Sequence, residues 1–409
     1  MTSRRAFLAG TLVATPYLRR ARAKTGYSFA EIERMLDRGD IRGRLSKEDL
    51  PTPALLLDLD AFEANVAKMA RHLKERRRGF RPHGKTHKCS EIAKYLIRAG
   101  ANGACAAKLS EAEVFARDGV TGILVTTPVV GRHKIQRAVR LAARHPDTIF
   151  SVDHAANVRD LNDAAGAARV RLNLAVDLLI GGRTGIRPGE PAVELARLID
   201  SLPHVRLAGI QAYAGQASHT IGFENRRRVS EEAMGQAVET RRLFEKAGLP
   251  CPLLSGGSTG TYNIDSEIEG VTELQPGSFI FMDLDYNRIG GQDGPVYRDF
   301  ANALTVLTTV ISRPADDTAI VDGGLKAFST DKPFVPVARN LEGVTYSWAG
   351  DEHGRLTLSG EARALQLGDR VEFIVPHCDP SVNLYDRIFC LRGERVETVW
   401  KITARGMSQ

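Results

Sequence analysis

The strongest constraint on the fold is a repeated alternation of short apolar runs with amphipathic stretches between residues 54 and 255. The runs Ala54–Asp58, Gly79–His83, Gly103–Ala106, Ile123–Thr126, Thr148–Val152, Arg171–Asp177, Leu207–Tyr213 and Pro252–Ser255 have strand character. Between them, Asp60–Arg78, Ser90–Ala99, Ser110–Asp118, Arg132–His145, Ala155–Ala165, Pro191–Leu202 and Glu224–Ala247 space their apolar residues as helices do. Eight strands, each leading towards a helix, predict an α/β fold with a parallel (β/α)8 barrel of the TIM type. A doubly wound open sheet is the alternative. The barrel is preferred because polar clusters follow most of the strands, and a barrel gathers such clusters at one mouth.

After about Asp285 the texture changes. The runs Ala303–Ile311, Thr318–Val321, Val344–Trp348, Arg355–Leu358, Arg370–Ile374, Arg387–Leu391 and Val399–Thr403 are short and separated by Gly, Pro and Asp turns. They predict a second, mostly antiparallel β domain over residues 286–409, with the barrel occupying 52–285. Residues 24–51 are polar and partly helical in pattern, and pack on either domain.

Formal net charge is +7, but five of the positives (Arg4, Arg5, Arg19, Arg20 and Arg22) lie in residues 1–23, which contain no acid. Without them the balance is +2, so charge gives no case for a nucleic-acid partner. Ser3-Arg4-Arg5-Ala6-Phe7-Leu8 opens an apolar run that ends before Ala21-Arg22-Ala23. This predicts a twin-arginine signal peptide cleaved after Ala23 and a periplasmic location; an arginine-rich start on a cytoplasmic protein is the alternative. The run is too short to span a membrane, and nothing later resembles a span. Cys89, Cys105, Cys251, Cys378 and Cys390 are odd in number and never spaced as C-x-x-C. Most are expected to be buried thiols.

Five segments carry residues suited to chemistry. Phe80-Arg81-Pro82-His83-Gly84-Lys85-Thr86-His87-Lys88-Cys89 sets one lysine between two histidines. Extended backbone would send His83, Lys85 and His87 to one face. Cationic imidazoles in a site turned away from water would disfavour the Lys85 ammonium and free its amine to form a Schiff base. A solvated basic loop is the plain alternative. Ser255-Gly256-Gly257-Ser258-Thr259 closes the last predicted barrel strand. Its small residues let backbone N–H groups approach an anion such as a phosphate, although a simple Gly/Ser turn has the same composition. Together the two segments suggest pyridoxal phosphate held at both ends.

Arg183, in a glycine-flanked turn after one strand, and Tyr213, at the end of the next, are candidates to contact the cofactor. His219 lies in the loop beyond Tyr213, where a general base could be presented. Late in the chain, extended backbone through His377-Cys378-Asp379 would place His377 and Asp379 on one side. An imidazole and a carboxylate form part of a site for Mn²⁺, Mg²⁺ or Ca²⁺, with zinc expected if Cys378 took part. A surface arginine, a solvated histidine and a hydrogen-bonded His–Asp turn are the plain alternatives.

Arg-Pro-His-Gly-Lys-Thr-His-Lys-Cys, Gly-Gly-Arg-Thr-Gly, Gln-Ala-Tyr-Ala-Gly, Ser-Gly-Gly-Ser-Thr-Gly-Thr-Tyr and His-Cys-Asp-Pro-Ser-Val-Asn-Leu-Tyr-Asp occur in this order. From about Thr52 to the C-terminus the chain resembles D-threonine aldolases and the metal-activated D-serine dehydratases, which are alanine-racemase-like pyridoxal-phosphate enzymes. The resemblance implies a barrel followed by a β domain, and a homodimer with active sites near the domain junction. It implies Lys85 as the Schiff-base lysine and Arg183 and Tyr213 as cofactor contacts. It further implies Ser255, Gly256, Gly257, Ser258 and Thr259 as the phosphate cradle, His219 as base, and His377 with Asp379 as ligands of a divalent metal, manganese first. Dehydratases typically carry Cys where this chain has Asp379, which favours aldol cleavage of D-3-hydroxy-amino acids. Thr86, as in many dehydratases, points towards elimination from D-serine or D-3-hydroxyaspartate. A non-catalytic carrier of pyridoxal phosphate is a third expectation, and the full second domain argues against it.

Overall fold

The structure, a computed structural model, describes residues 27–38 and 40–409; the predicted leader at 1–23 lies outside them. Among the described residues, seventeen strands form two sheets. The first is parallel and contains β2 (Gly79–Phe80), β3 (Cys105–Ala106), β4 (Leu124–Val125), β5 (Ile149–Val152), β6 (Leu172–Asp177), β7 (Val205–Ala212), β8 (Leu253–Gly256) and β9 (Glu273–Leu274). β2 pairs with β9, and the order then runs β8 down to β3. A parallel bridge between His83 and Cys105 returns β3 to β2. Cys105 N–H donates to the Pro82 carbonyl at 2.9 Å and Gly84 N–H to the Cys105 carbonyl at 2.8 Å. The sheet therefore closes into a barrel, with helices such as Leu59–Glu75 and Phe223–Lys246 outside it.

The second sheet corrects one expectation. β1 (Ala54–Asp58) is not a barrel strand: it pairs antiparallel with β10 (Leu304–Ala315) and parallel with β16 (Arg387–Arg392). Its apolar sequence suits the interior of either sheet, so hydrophobic pattern could not assign it. The barrel's true eighth strand, β9, is two residues long and begins with Glu273, a charged residue that reads as loop. The remaining strands are β11 (Thr318–Val321), β12 (Val337–Ala338), β13 (Val344–Trp348), β14 (Gly354–Leu358), β15 (Arg370–Ile374) and β17 (Arg395–Lys401). All their pairings are antiparallel. Ahead of β1, helix Phe29–Asp37 is capped by Ser28 and Glu31. Ile32, Ile41, Leu45 and Leu50 share a buried cluster with Leu307, Phe389 and Val396, so this segment packs on the β domain.

Glu273 is held inside the barrel by charge. Arg81 Nε lies 2.9 Å from its Oε1 and Nη2 lies 3.1 Å from its Oε2. Ser255 Oγ donates to it at 2.7 Å and Asn102 Nδ2 at 3.0 Å. The two ionic side chains retain only 9% and 3% exposure. A buried pair of this kind locks β2 against β9 because removing one partner strands the other charge. Glu273→Ala should therefore lower the unfolding free energy by about 3–5 kcal/mol, measured by urea denaturation. Unchanged stability would show that Arg81 finds another partner.

Candidate active site

Lys85 sits at the barrel mouth, just beyond β2, in a turn and not in extended chain. Gly84 permits the turn: a Cβ there would come within 2.7 Å of the Phe115 ring and 2.9 Å of the Cys105 carbonyl. The period-two expectation therefore fails. His83 packs inside against Thr126 Oγ1 at 3.2 Å, and its Nδ1 accepts from Lys85 N–H at 3.3 Å. His87 turns away, its Nδ1 accepting from Cys89 N–H at 3.0 Å and its ring 6.0 Å from that of Phe115.

The electrostatics also reverse. Burial, aided by Lys85, holds His83 well below the ordinary imidazole value, and burial with Lys88 pushes His87 down to about 3. Neither ring is cationic near neutrality, so neither repels Lys85. Burial is the largest influence on the Lys85 ammonium and would lower it, but Asp379, joined by Tyr213 and Cys378, turns the net shift upward. Nζ lies 3.8 Å from Asp379 Oδ1.

Asp379 comes from the second domain. His377 N-caps a single helical turn, Cys378–Val382, so the local backbone is not extended throughout as expected. The two side chains still converge, with His377 Nε2 3.9 Å from Asp379 Oδ2. The far nitrogen of His377, Nδ1, is 2.7 Å from Asp331 Oδ2. A carboxylate on one ring nitrogen is the usual way to aim the other at a metal. Burial would raise Asp379, but Lys85, Lys88 and His377 hold it well below the usual carboxylate range. Cys378 is buried, its thiol pushed well up by burial and by Asp283. That favours the nitrogen–oxygen pair over a zinc–thiolate site. Among the described residues, no cluster of three or more His, Cys, Asp or Glu could hold a metal; His377 and Asp379 would need water or substrate to complete a shell.

His219 follows the short helix Gly215–Ser218. Its ring lies 4.7 Å from that of Tyr286, and its Nδ1 is 3.0 Å from Asp285 Oδ2. Lys332 Nζ is 2.7 Å from the same oxygen. Burial alone would raise Asp285, but His219 and Lys332 keep it well below the usual range, so it stays ionised. The proton of a neutral His219 then belongs on Nδ1, leaving Nε2 as the acceptor.

The predicted phosphate segment divides. Ser258 and Thr259 line a cavity of about 40 Å³ together with Lys85, Thr86, Tyr213, His219, His377 and Asp379. Ser255, Gly256 and Gly257 do not. Ser255 points into the barrel towards Glu273, and Gly257, at φ 71°, turns the chain where a Cβ would lie 2.8 Å from Asp265 Oδ2. Thr261 supports the turn from behind, accepting from Ser258 N–H at 3.1 Å and donating to Asp265. Arg183 is exposed and stands over the Tyr213 ring, its guanidinium carbon 5.4 Å from the centroid. Thr86 Oγ1 is fully buried and has no hydrogen-bond partner. A lysine amine, an orphan hydroxyl and a small-residue turn around one cavity fit an aldehyde-bearing phosphate cofactor. A larger cavity of about 700 Å³ lies near Asp147, Asn173, Arg206 and Glu273, towards the other end of the barrel, away from the C-terminal mouth where barrels place chemistry.

Sequence reasoning missed Lys88, Asp285, Asp331 and Lys332. Lys88 adopts φ 51° and buries its ammonium between two carbonyls, those of Lys85 at 2.5 Å and Asp379 at 2.7 Å. It stood inside the basic motif, but only the fold reveals what it joins.

The family model described as "Alanine racemase, N-terminal domain" matches residues 57–285. The chain belongs to the alanine-racemase-like family. A serine dehydratase domain model matches residues 303–391 of this family member. Over 366 residues it is 37% identical to a 3-hydroxy-D-aspartate aldolase of Paracoccus denitrificans (strain Pd 1222), covering 88% of this chain and 94% of the relative. A D-threonine aldolase of an Arthrobacter species is 37% identical over 359 residues, covering 88% and 93%. The crystal structure of D-threonine aldolase from Filomicrobium marinum superposes with a TM-score of 0.83 at 36% identity, covering 88% of this chain and 98% of that one.

Asp265 gives a pH test of the turn beneath Ser258. Burial raises it to about 6, against the hydrogen bonds from Ser230 and Thr261. The folded protein thus keeps this proton until about pH 6, whereas the unfolded chain loses it near pH 4. Its stabilising contribution is fully present below about pH 4 and is lost as pH rises through about 6. Asp265→Asn cannot ionise, so the stability of the wild type relative to this variant should fall by at most about 3 kcal/mol between pH 4 and 7.5. A difference independent of pH would mean that Asp265 is already charged in the fold.

Proposed function

We propose that the protein is a carbon–carbon lyase that cleaves D-3-hydroxy-amino acids of the D-threonine type to glycine and an aldehyde. The observation that carries this reading is the meeting of Lys85, His219 and the His377–Asp379 pair around one cavity. The likeness to aldolases over 88% of the chain supports it. Lys85 would hold pyridoxal phosphate, Ser258 and Thr259 its phosphate, and Arg183 and Tyr213 its flank. His377 and Asp379 would hold a divalent cation, Mn²⁺ before Mg²⁺ or Ca²⁺ because the donor set is one nitrogen and one hard oxygen. Bound, the cofactor supplies an electron sink for the pair left at Cα, and the cation lowers the pKa of the substrate hydroxyl.

The chain's own residues do the rest. Asp285 fixes the His219 proton on Nδ1, so Nε2 takes the proton of the β-hydroxyl as the Cα–Cβ bond breaks and the aldehyde forms. Lys85 Nζ, which lines the same cavity, would return a proton to Cα and complete glycine. Asp379, 3.8 Å from that amine, favours its protonated form.

A dehydratase remains the second reading, because the buried Thr86 hydroxyl has no partner beside Lys85 and this position matches many dehydratases. Products separate the two. D-Threonine should give glycine and acetaldehyde, and D-serine should give no pyruvate or ammonia; the reverse result would replace aldol cleavage with elimination. Lys85→Ala should abolish the visible absorbance of bound cofactor, and retained absorbance would remove the role given to Lys85. His219→Gln should lower kcat by about 10²–10⁴-fold with the absorbance intact.

Two further expectations belong to the same proposal. The Ser3–Leu8 pattern suggests twin-arginine export to the periplasm, which recovery of an uncleaved, cytoplasmic protein from the producing cells would rule out. The family resemblance suggests a homodimer, to be checked by light scattering.

A further inference from the structure

The geometry points to the loop Ser329–Lys332 of the second domain as a single positioning strap that aims both the base and the metal-facing histidine. This rests on the roles proposed above for His219 and His377.

The strap works through three contacts. Ser329 Oγ accepts from His377 N–H and donates to the His377 carbonyl, each at 3.1 Å, so it fixes that residue's backbone from both sides. Two residues on, Asp331 holds the His377 ring through Nδ1 at 2.7 Å. The next residue, Lys332, reaches the opposite way to Asp285 at 2.7 Å, and Asp285 holds His219 Nδ1 at 3.0 Å. One short loop therefore sets the orientation of two imidazoles carried by different domains.

The strap is rigid at its root. Phe328, immediately before it, is buried in an aromatic cluster, with ring centroids 5.8 Å from Tyr346 and 5.9 Å from Phe373. Ser329 is itself buried, and its N–H donates to Ser381 Oγ at 3.1 Å. Asp331 and Lys332 are neighbours with separate partners, Asp331 on the His377 ring and Lys332 on the Asp285 carboxylate. Without the strap, His377 and Asp285 would keep their places in the chain but lose the partner that fixes their rotamer. Catalytic groups displaced by an ångström lose far more rate than binding.

The test uses the cofactor-loaded enzyme and two readouts. Mn²⁺ affinity is measured by electron paramagnetic resonance without substrate, and kcat and KM are measured on whichever D-hydroxy-amino acid is turned over. Asp331→Asn should weaken Mn²⁺ binding by about 10–100-fold. Lys332→Met should leave Mn²⁺ affinity within about twofold and lower kcat by about 10–100-fold at little-changed KM, as expected of misaligned catalysis. Lys332→Arg should restore most of that loss, and circular dichroism should show all three variants folded. Undiminished Mn²⁺ affinity in Asp331→Asn, or undiminished kcat in Lys332→Met, would overturn the strap. So would a Lys332→Met loss carried wholly in KM. The Mn²⁺ arm needs no assumption about the reaction, so it judges the strap even if aldol cleavage proves wrong.

Discussion

The active site depends on one buried ammonium. Lys88 donates to the carbonyl of Lys85 in the barrel and to the carbonyl of Asp379 in the β domain. Burial pushes its pKa down, against the pull of Asp379 and Glu111, so the carbonyl contacts must offset a desolvation cost. Charge-assisted bonds of this kind are about twice as strong as neutral ones. The residue also holds φ 51°, a backbone state that a non-glycine residue adopts only when its surroundings enforce it. The Lys85 turn and the His377–Asp379 turn are thus parts of one bonded unit, although 290 or so residues of chain separate them.

Around that junction the two domains contribute different things. The barrel supplies depth: strands end in a ring, and Lys85, Tyr213, Ser258 and Thr259 project at one mouth. The β domain supplies aim, because His377, Asp379, Asp331 and Lys332 all come from it and each fixes a polar group at the mouth. Neither domain alone encloses the cavity.

Much of this was legible in the sequence, and the limits are instructive. The barrel showed because seven of its strands are apolar and spaced by amphipathic helices; β9 did not, because Glu273 carries a charge that only the fold pairs with Arg81. Local motif or chemistry singles out Lys85, His219, His377 and Asp379, and the fold brings them around one cavity. Asp285, Asp331 and Lys332 lie in polar loops that resemble any solvated turn, and their partners are distant in sequence. The claim that two histidines would discharge Lys85 failed for a physical reason. Imidazoles buried in a protein lose their charge before they can repel a neighbour, and a carboxylate from another domain, with Tyr213 and Cys378, then favours the ammonium against burial.

The placement of β1 reaches beyond catalysis. This strand emerges early in synthesis, yet its hydrogen-bonding neighbours, β10 and β16, follow some 250 to 330 residues later. The barrel is therefore an insertion within the β domain, and the outer domain cannot close until nearly the whole chain exists. Long-range pairings of this kind form late and slowly. A nascent or truncated chain that had already shaped its barrel would still lack the β-domain residues His377 and Asp379 at the mouth, and so would not enclose the cavity. Completion of the polypeptide becomes the event that closes the cavity.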